Sequence, residues 1–172
     1  YPTKPIGGLD GGMIVSDDYD KIMYFKEAVL NGMSYAENNW DRKIKFPGWK
    51  MYLNSFQAYV AYENFHKLPN KISRLKDIRE YYNTELDYTN TSDHLYRISV
   101  DDNVSAINFM REKNIVCGIH YEACHENTVY NKNFVSLPKS SAVAKTTLSI
   151  PFNEKLELSD VKYIVECVRQ IQ

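Results

Sequence analysis

The sequence predicts a mixed protein, part α/β and part α+β, on the basis of three observations. Residues 1–32 have the pattern loop, strand and helix, which is one unit of an α/β layer. Residues 54–86 carry apolar side chains at helical spacing over an unusually long stretch. Residues 94–172 then follow the order strand, helix, strand, loop, strand and helix, which is typical of a small α+β module.

The α/β unit begins with a glycine-rich loop. Residues 1–12 hold four of the seven glycines and two of the six prolines, which indicates a turn or loop with unusual backbone dihedrals. Residues 12–16 predict a short buried strand, and residues 16–18 offer helix N-cap oxygens. The apolar residues of 19–31 recur close to every 3.6 residues, and Gly32 suits the position after a helix end.

The long helix predicted for residues 54–86 has a start signal and an interruption. Asn54 or Ser55 can cap its first turn. Pro69 lacks an amide hydrogen, so we expect the helix to be broken or kinked there. The remaining predicted elements are strands at 94–100, 115–121 and 146–150, a helix at 104–113, a stretch at 122–142 that is mostly loop with short helical pieces, and a final helix from Leu158.

Composition excludes several classes of protein. Lysine and arginine number 21 against 22 acidic residues, so charge gives no reason to expect a nucleic-acid or membrane-surface binder. No apolar run approaches the roughly 20 residues of a transmembrane helix, and no secretory leader is visible. The three cysteines show no disulfide rhythm, which favours the cytoplasm.

Lys4 is the first candidate for chemistry. It stands beside glycine-rich backbone and just ahead of the predicted strand, where a ligand can approach closely. The phosphate-binding P-loop pattern is absent, because Lys4 precedes its glycines. A desolvated lysine is a nucleophilic amine suited to Schiff-base chemistry, whereas an ordinary surface lysine is solvated. Spacing alone leaves both alternatives open.

Several motifs, in order along the chain, resemble the DegT/DnrJ/StrS family of sugar aminotransferases. They are YPTKPIGGLDGGMIVSDD at the start, GWKMYLNSFQA from Gly48, HLYRI from His94, GIHY from Gly118 followed by His125, and LSIP from Leu148. The resemblance spans nearly all 172 residues. It implies a pyridoxal-phosphate-dependent transferase of fold type I, similar to aspartate aminotransferase. Residues 1–53 would be the end of the large cofactor-binding α/β domain, and residues 54–172 the long linking helix and the small C-terminal α+β domain.

The resemblance also implies roles for five residues. Lys4 would form the Schiff base with pyridoxal 5′-phosphate and move the proton between the donor carbon and the cofactor. Lys50 would reach the cofactor phosphate of the neighbouring subunit in a homodimer, the alternative being a solvated loop lysine. His120, Tyr121 and His125 would lie on the substrate side of the cleft. The alternative is that these three side chains only pack in the core or at its rim. Lysine rather than histidine at position 4 favours transamination over dehydration.

The implied reaction transfers an amino group, from glutamate, to a nucleotide-linked keto-deoxysugar for amino-sugar and surface polysaccharide biosynthesis. Tyr52 stands where many relatives have arginine and Cys124 where proline or leucine is usual, which bears on the substrate more than on the cofactor. The family's N-terminal half supplies further cofactor contacts, so we expect that half from the same protein or a partner chain. The alternative is a truncated, non-catalytic paralogue that serves as a binding or assembly module.

A second alternative concerns a metal. Cys117, His120, Cys124 and His125 have the spacing C-x2-H-x3-C-H, and all four side chains can bind zinc. The spacing is not that of a standard zinc finger, and residues three apart on a strand point to opposite faces. We therefore expect no metal site.

Overall fold

The computed structural model describes residues 3–34, 42–130 and 135–172. Two compact units divide the chain: an N-terminal unit, Tyr1–Leu68, and a C-terminal unit, Pro69–Gln172. The elements in chain order are α1 (Tyr19–Ala28), α2 (Ser55–Leu86), β1 (Tyr96–Ser99), α3 (Asn103–Glu112), a 3₁₀ turn (Cys124–Glu126), α4 (Pro138–Thr146), β2 (Thr147–Ile150) and α5 (Leu158–Val168). None of the described helices combines the length and hydropathy of a membrane span.

Helix α1 begins where the sequence predicts. Asp18 caps it by accepting a hydrogen bond of 3.1 Å from the Lys21 amide. Its predicted end is wrong, because the helix stops at Ala28 with Val29 as its C-cap, and Gly32 lies beyond the position after the helix end. Gly32 follows the helix with φ +71°, and a Cβ there would lie 1.8 Å from the Phe46 carbonyl oxygen, so only glycine fits. The chain returns to this helix end through an antiparallel bridge between Leu30 and Lys50.

The strand predicted at residues 12–16 is absent, and this prediction is wrong for the structure. The segment has no ladder, and Met13, Ile14 and Val15 are exposed. A strand needs a neighbour to satisfy its amides and carbonyls, and the described part of the N-terminal unit holds only isolated bridges. A β-prone sequence without a pairing partner therefore stays irregular.

Helix α2 runs without a break through Pro69, which leaves a kink as the form of the predicted interruption that stays a prediction. Proline removes one backbone hydrogen bond, but several helical turns on each side of Pro69 keep theirs, and these stabilise the helix as a whole. The predicted cap is confirmed, since Asn54 Oδ1 accepts a hydrogen bond of 2.9 Å from the Gln57 amide. The division into two units falls at this proline.

The C-terminal unit is built on a two-stranded antiparallel sheet. Tyr96 pairs with Ile150 and Ile98 with Leu148, and all four side chains are buried on one face. The strand predicted at residues 115–121 is reduced to one bridge between Gly118 and Ser149, so most of that prediction is wrong. A partner strand of only four residues, as β2 is, offers few pairing positions to a third segment.

The core of this unit joins the second half of α2, the sheet, α3 and α5. The helices predicted at 104–113 and from Leu158 are confirmed within a residue of their bounds. The largest side chains that are almost wholly buried are Leu75, Tyr82, Tyr96, Ile98, Met110, Leu148, Val161, Val165 and Val168. The tyrosines keep their hydroxyls bonded, because Tyr82 donates to the Pro151 carbonyl (3.1 Å) and Tyr96 to Asn83 Oδ1 (2.8 Å).

Candidate functional site

Lys4 lies in the glycine-rich segment of the N-terminal unit, which packs on the first half of α2. The Gly7 carbonyl accepts a hydrogen bond from Asn64, and a Cβ on Gly8 would lie 3.0 Å from the Ala61 Cβ. The small residues thus let the loop approach the helix closely. Lys4 itself is exposed in this unit.

Lys50 lies on a second fixed loop of the same unit. Its neighbours bond to the end of α1, since Asn31 donates to the Trp49 carbonyl (3.0 Å) and Met51 to the Val29 carbonyl (3.0 Å). The Lys50 side chain is exposed, and its Nζ lies 6.0 Å from the Tyr52 ring centroid. Both lysines to which the resemblance assigns the cofactor are therefore on anchored loops with accessible side chains.

The candidate substrate residues lie in the C-terminal unit, around a cleft of about 400 Å³. His120 and Tyr121 line it together with Arg97, Glu122, Lys139 and Thr147. His125 is not part of that lining. Its Nε2 lies 3.1 Å from the Ser141 hydroxyl of α4. The structure thus brings two of the three predicted residues into one cleft and joins the third to the helix that forms part of its wall.

His120 is tightly placed but has unused hydrogen-bonding capacity. A Cβ on Gly118 would lie 2.9 Å from the His120 Cε1, and the Tyr121 ring lies edge-on with centroids 5.1 Å apart. The His120 Nδ1 is buried without a partner among the described residues, and the same holds for the hydroxyl of Ser149, which pairs with Gly118. Buried polar atoms of this kind normally bind water or a ligand.

Two cationic residues of the cleft were missed by the sequence reasoning. Arg97 alternates with the buried Tyr96 and Ile98 on β1, so the period of two was a usable signal that it leaves the core face. Lys139 follows Pro138, the first residue of α4, and proline is favoured at a helix start. The prediction that residues 122–142 are mostly loop does not use that signal.

The zinc alternative finds no support in the geometry. Within residues 3–34, 42–130 and 135–172, no group of three or more metal-ligating side chains comes together. Cys117 packs against the core instead, and burial raises the pKa of its thiol to about 11. A zinc ligand must be a thiolate, which this environment disfavours.

Comparison with known proteins places this arrangement in a family. A family model described as the DegT/DnrJ/EryC1/StrS aminotransferase family matches residues 1–169. The spore coat polysaccharide biosynthesis protein SpsC of Bacillus subtilis is 26% identical over 99% of this chain and 52% of its own length. A UDP-4-amino-4,6-dideoxy-N-acetyl-beta-L-altrosamine transaminase of Campylobacter jejuni is 23% identical over 99% of this chain and 50% of its own. The chain therefore spans about half the length of the curated relatives it matches.

Solved structures show the same fold. The sugar aminotransferase CalS13 of Micromonospora echinospora superposes with a TM-score of 0.87 at 18% identity, over 97% of this chain and 49% of its own. The Helicobacter pylori aminotransferase PseC gives 0.86 at 19% identity, over 97% of this chain and 50% of its own. These superpositions confirm the predicted fold class, that of the fold type I transferases.

Proposed function

The chain belongs to the DegT/DnrJ/EryC1/StrS aminotransferase family, and from this premise we propose that it is the C-terminal half of a pyridoxal-phosphate-dependent sugar aminotransferase. The enzyme would move an amino group, from glutamate, to a nucleotide-linked keto-deoxysugar for amino-sugar and surface polysaccharide biosynthesis. The observation that carries the proposal is the family match over residues 1–169, which includes Lys4 and its glycine loop. The names of the two curated relatives agree with it.

The residues of the N-terminal unit fit the cofactor chemically. Pyridoxal phosphate offers an aldehyde, which condenses with an amine, and a dianionic phosphate, which attracts a cation. Lys4 would hold the aldehyde, and Lys50 would reach the cofactor phosphate of the neighbouring subunit, both being exposed residues on anchored loops. When bound, the cofactor supplies the electron sink for the carbon that loses its proton.

Lys4 would also transfer the proton of the reaction at its Nζ. Proton transfer of this kind is favoured where the active site excludes water. The exposure of Lys4 in this unit means that the covering surface must come from elsewhere in the complete enzyme. The glycines beside Lys4 leave room for that surface and for the cofactor.

The apolar surface of the N-terminal unit supports a larger assembly. Its exposed large apolar side chains include Met13, Ile14, Val15, Phe56, Tyr59, Tyr62 and Phe65. Apolar surface on this scale marks contact with another surface. We propose that it is covered by the part of the fold that this chain does not span and by a second subunit of a homodimer.

Nucleotide-sugar substrates and three free cysteines favour the cytoplasm as the compartment of the enzyme.

On the substrate side, we assign His120, Tyr121 and His125 to the cleft of the C-terminal unit. His120 lines the cleft with a buried, unpartnered Nδ1 among the described residues, which leaves it able to bind a ligand or an ordered water. Tyr121 is exposed at the cleft, and His125 is held by Ser141 at its margin.

The test is chemical trapping on the full-length protein. Borohydride reduction followed by digestion and mass spectrometry is expected to place a pyridoxyl group on Lys4. Lys4→Ala is expected to lower amino transfer at least a thousandfold, because both the cofactor linkage and the proton-transfer group are lost. Lys43→Ala, an exposed lysine of the same unit, is the matched control and is expected to stay active. An unmodified Lys4, or an active Lys4→Ala, refutes the proposal.

A second candidate function is a non-catalytic binding or assembly module. The observation that favours it is that the C-terminal unit has a contiguous core of its own, from Ile78 to Val168. In that case the protein would fold cooperatively, take up no pyridoxal phosphate and show no pyridoxyl group after reduction. The same trapping experiment therefore separates the two functions.

A further inference from the structure

Two side-chain atoms of the C-terminal unit are buried without a hydrogen-bond partner among the described residues. They are the hydroxyl oxygen of Ser149 and the Nδ1 of His120, and Ser149 as a whole is only 4% exposed. Folded proteins rarely leave such atoms unpaired, because a polar group that has lost its water without gaining a partner is destabilising. The proposed reaction assigns His120 to the substrate cleft and gives Ser149 no role.

The backbone places the Ser149 side chain on the face of the sheet opposite the core. Its neighbours in β2, Leu148 and Ile150, are buried in the core, and successive side chains of a strand alternate between faces. Ser149 also exchanges two backbone hydrogen bonds with Gly118, at 2.9 and 2.8 Å. Residues that pair in this way direct their side chains to the same face, with Cβ atoms about 4.5–5.5 Å apart.

The imidazole of His120 occupies the position that a side chain of residue 118 would take on this face. A Cβ on Gly118 would lie 2.9 Å from the His120 Cε1 and 3.5 Å from its Nδ1. Glycine at position 118 therefore lets the ring lie beside Ser149, and the two unpartnered atoms become neighbours on one face of the sheet.

The backbone around Ser149 decides which of the two atoms donates. The amide and carbonyl of Ser149 and those of Gly118 all take part in their mutual pair of hydrogen bonds. The hydroxyl proton of Ser149 therefore has the lone pair of the His120 Nδ1 as its remaining neighbouring acceptor. A neutral imidazole that accepts at one nitrogen carries its proton on the other.

We propose that Ser149 is a positioning residue, whose hydroxyl donates a hydrogen bond to the His120 Nδ1 either directly or through one ordered water. This bond fixes the tautomer of His120 with the proton on Nε2, so that the ring offers a donor to the cleft that it lines. The inference rests on the proposed function, in which His120 lies on the substrate side of that cleft. Ser149 itself touches no reacting group in this role.

Nuclear magnetic resonance of the full-length protein, labelled with ¹⁵N-histidine, tests the tautomer without relying on turnover. Spectra are recorded at about pH 8, where an ordinary imidazole is neutral, and the His120 signals are identified by their loss in His120→Gln. The wild type is expected to show His120 protonated on Nε2, and Ser149→Ala is expected to shift both ring nitrogens toward a mixture of tautomers. Ser99→Ala, at an exposed serine on the same face of β1, is the matched control and is expected to leave them unchanged. A wild-type proton on Nδ1, or identical spectra for Ser149→Ala and the wild type, overturns the inference.

A double-mutant cycle then separates positioning from a general structural effect. Ser149→Ala is expected to lower kcat/KM for the nucleotide sugar about fivefold to tenfold, the size of one lost hydrogen bond. In a His120→Gln background the same change is expected to matter less than about twofold, because Ser149 acts through the imidazole. An equal loss in both backgrounds, or no loss in the wild type, contradicts the proposed role. Failure of the proposed function has a different signature, namely a wild type without pyridoxyl on Lys4, and the tautomer of His120 is measurable in either case.

Discussion

The two units of this chain differ in how far their own residues bury them. In the C-terminal unit the sheet and three helices enclose a contiguous set of apolar side chains, with Tyr82, Tyr96 and Leu148 wholly inaccessible. In the described part of the N-terminal unit, Ala28 is the one buried hydrophobic residue. Helices α1 and α2 nevertheless form in the N-terminal unit, whereas its expected strand does not. Helices satisfy their backbone locally, and strands need a neighbour.

The largest expected effect that sharpens this comparison is in hydrogen exchange. In the chain of residues 1–172, amides of residues 13–15 are expected to exchange at least a thousandfold faster than those of β1 and β2, because the former have no ladder and the latter lie in the core. In the complete enzyme, where we propose a covering surface, residues 13–15 become protected. Mass spectrometry of peptic fragments measures both. Equal exchange of the two segments in the 172-residue chain would remove the contrast between the units.

The second prediction compares two identical substitutions at different burial. Leu148→Ala removes a side chain with 0% exposure from β2 and is expected to lower the free energy of unfolding by about 3 kcal/mol, since it leaves a cavity. Leu158→Ala at the start of α5, where the side chain is 51% exposed, is expected to cost less than about 1 kcal/mol. Urea unfolding followed by far-UV circular dichroism measures both. Similar losses would mean that the core does not dominate stability.

The parts of the fold that were predictable are those set by local signals. Asp18 and Asn54 cap the helices where the sequence predicts, and α3 and α5 follow from apolar periodicity. The strand at 12–16 and most of the strand at 115–121 failed because pairing depends on residues far away in the chain or beyond it. A break at Pro69 is absent for the opposite reason, since a long helix outweighs one unfavourable residue.

The residues of the candidate site also divide into those with a local sequence signal and those without one. His120 and Tyr121 were assigned to the substrate side because the GIHY motif resembles the family; the structure places both at one cleft, and their role stays a prediction. Arg97 and Lys139 were missed because the cleft joins a strand to a helix start about forty positions later, and no local pattern shows that they meet. Lys4 and Lys50 remain predictions from the resemblance.

The third prediction concerns the two buried tyrosines of the C-terminal unit. Tyr82→Phe leaves the Pro151 carbonyl without this donor and is expected to cost about 1–2 kcal/mol. Tyr96→Phe is expected to cost about 0.5–1 kcal/mol, because Asn83 Oδ1 keeps the Asn90 amide as a second donor. Urea unfolding at pH 7 measures the order, and a larger loss for Tyr96→Phe would contradict it.

The same tyrosines predict how the core responds to alkali. Burial raises the pKa of Tyr96 to about 12 and that of Tyr82 further, against about 10 in the unfolded chain. A group whose folded pKa is raised contributes its stability below the unfolded value and loses it as pH rises through the folded value. Stability is therefore expected to fall from about pH 10 upward. This fall should be smaller in Tyr96→Phe, and an unchanged slope would contradict the assignment.

The smallest effects come from two aspartates that perform the same local task in the two units. Asp18 caps α1 and Asp102 caps α3, with the Ser105 amide 2.7 Å from the Asp102 carboxylate. Hydrogen bonding lowers the pKa of both, for Asp18 from Lys21 and for Asp102 from Ser105. A carboxyl group with a lowered folded pKa adds stability above its unfolded pKa, near 4, and loses it as pH falls through the folded value.

Asp18→Asn and Asp102→Asn therefore separate local from global folding. Asparagine keeps a capping oxygen and removes the titrating charge, which at Asp18 includes the exposed ion pair with Lys21. Asp102→Asn is expected to reduce the acid dependence of global unfolding between about pH 5 and pH 3, since α3 packs in the core through Ala106 and Met110. Asp18→Asn is expected to leave global unfolding unchanged and to alter only the exchange of α1 amides, because α1 buries a single alanine. An equal change in global acid stability for the two variants would show that α1 is coupled to the core, and that the two units unfold as one.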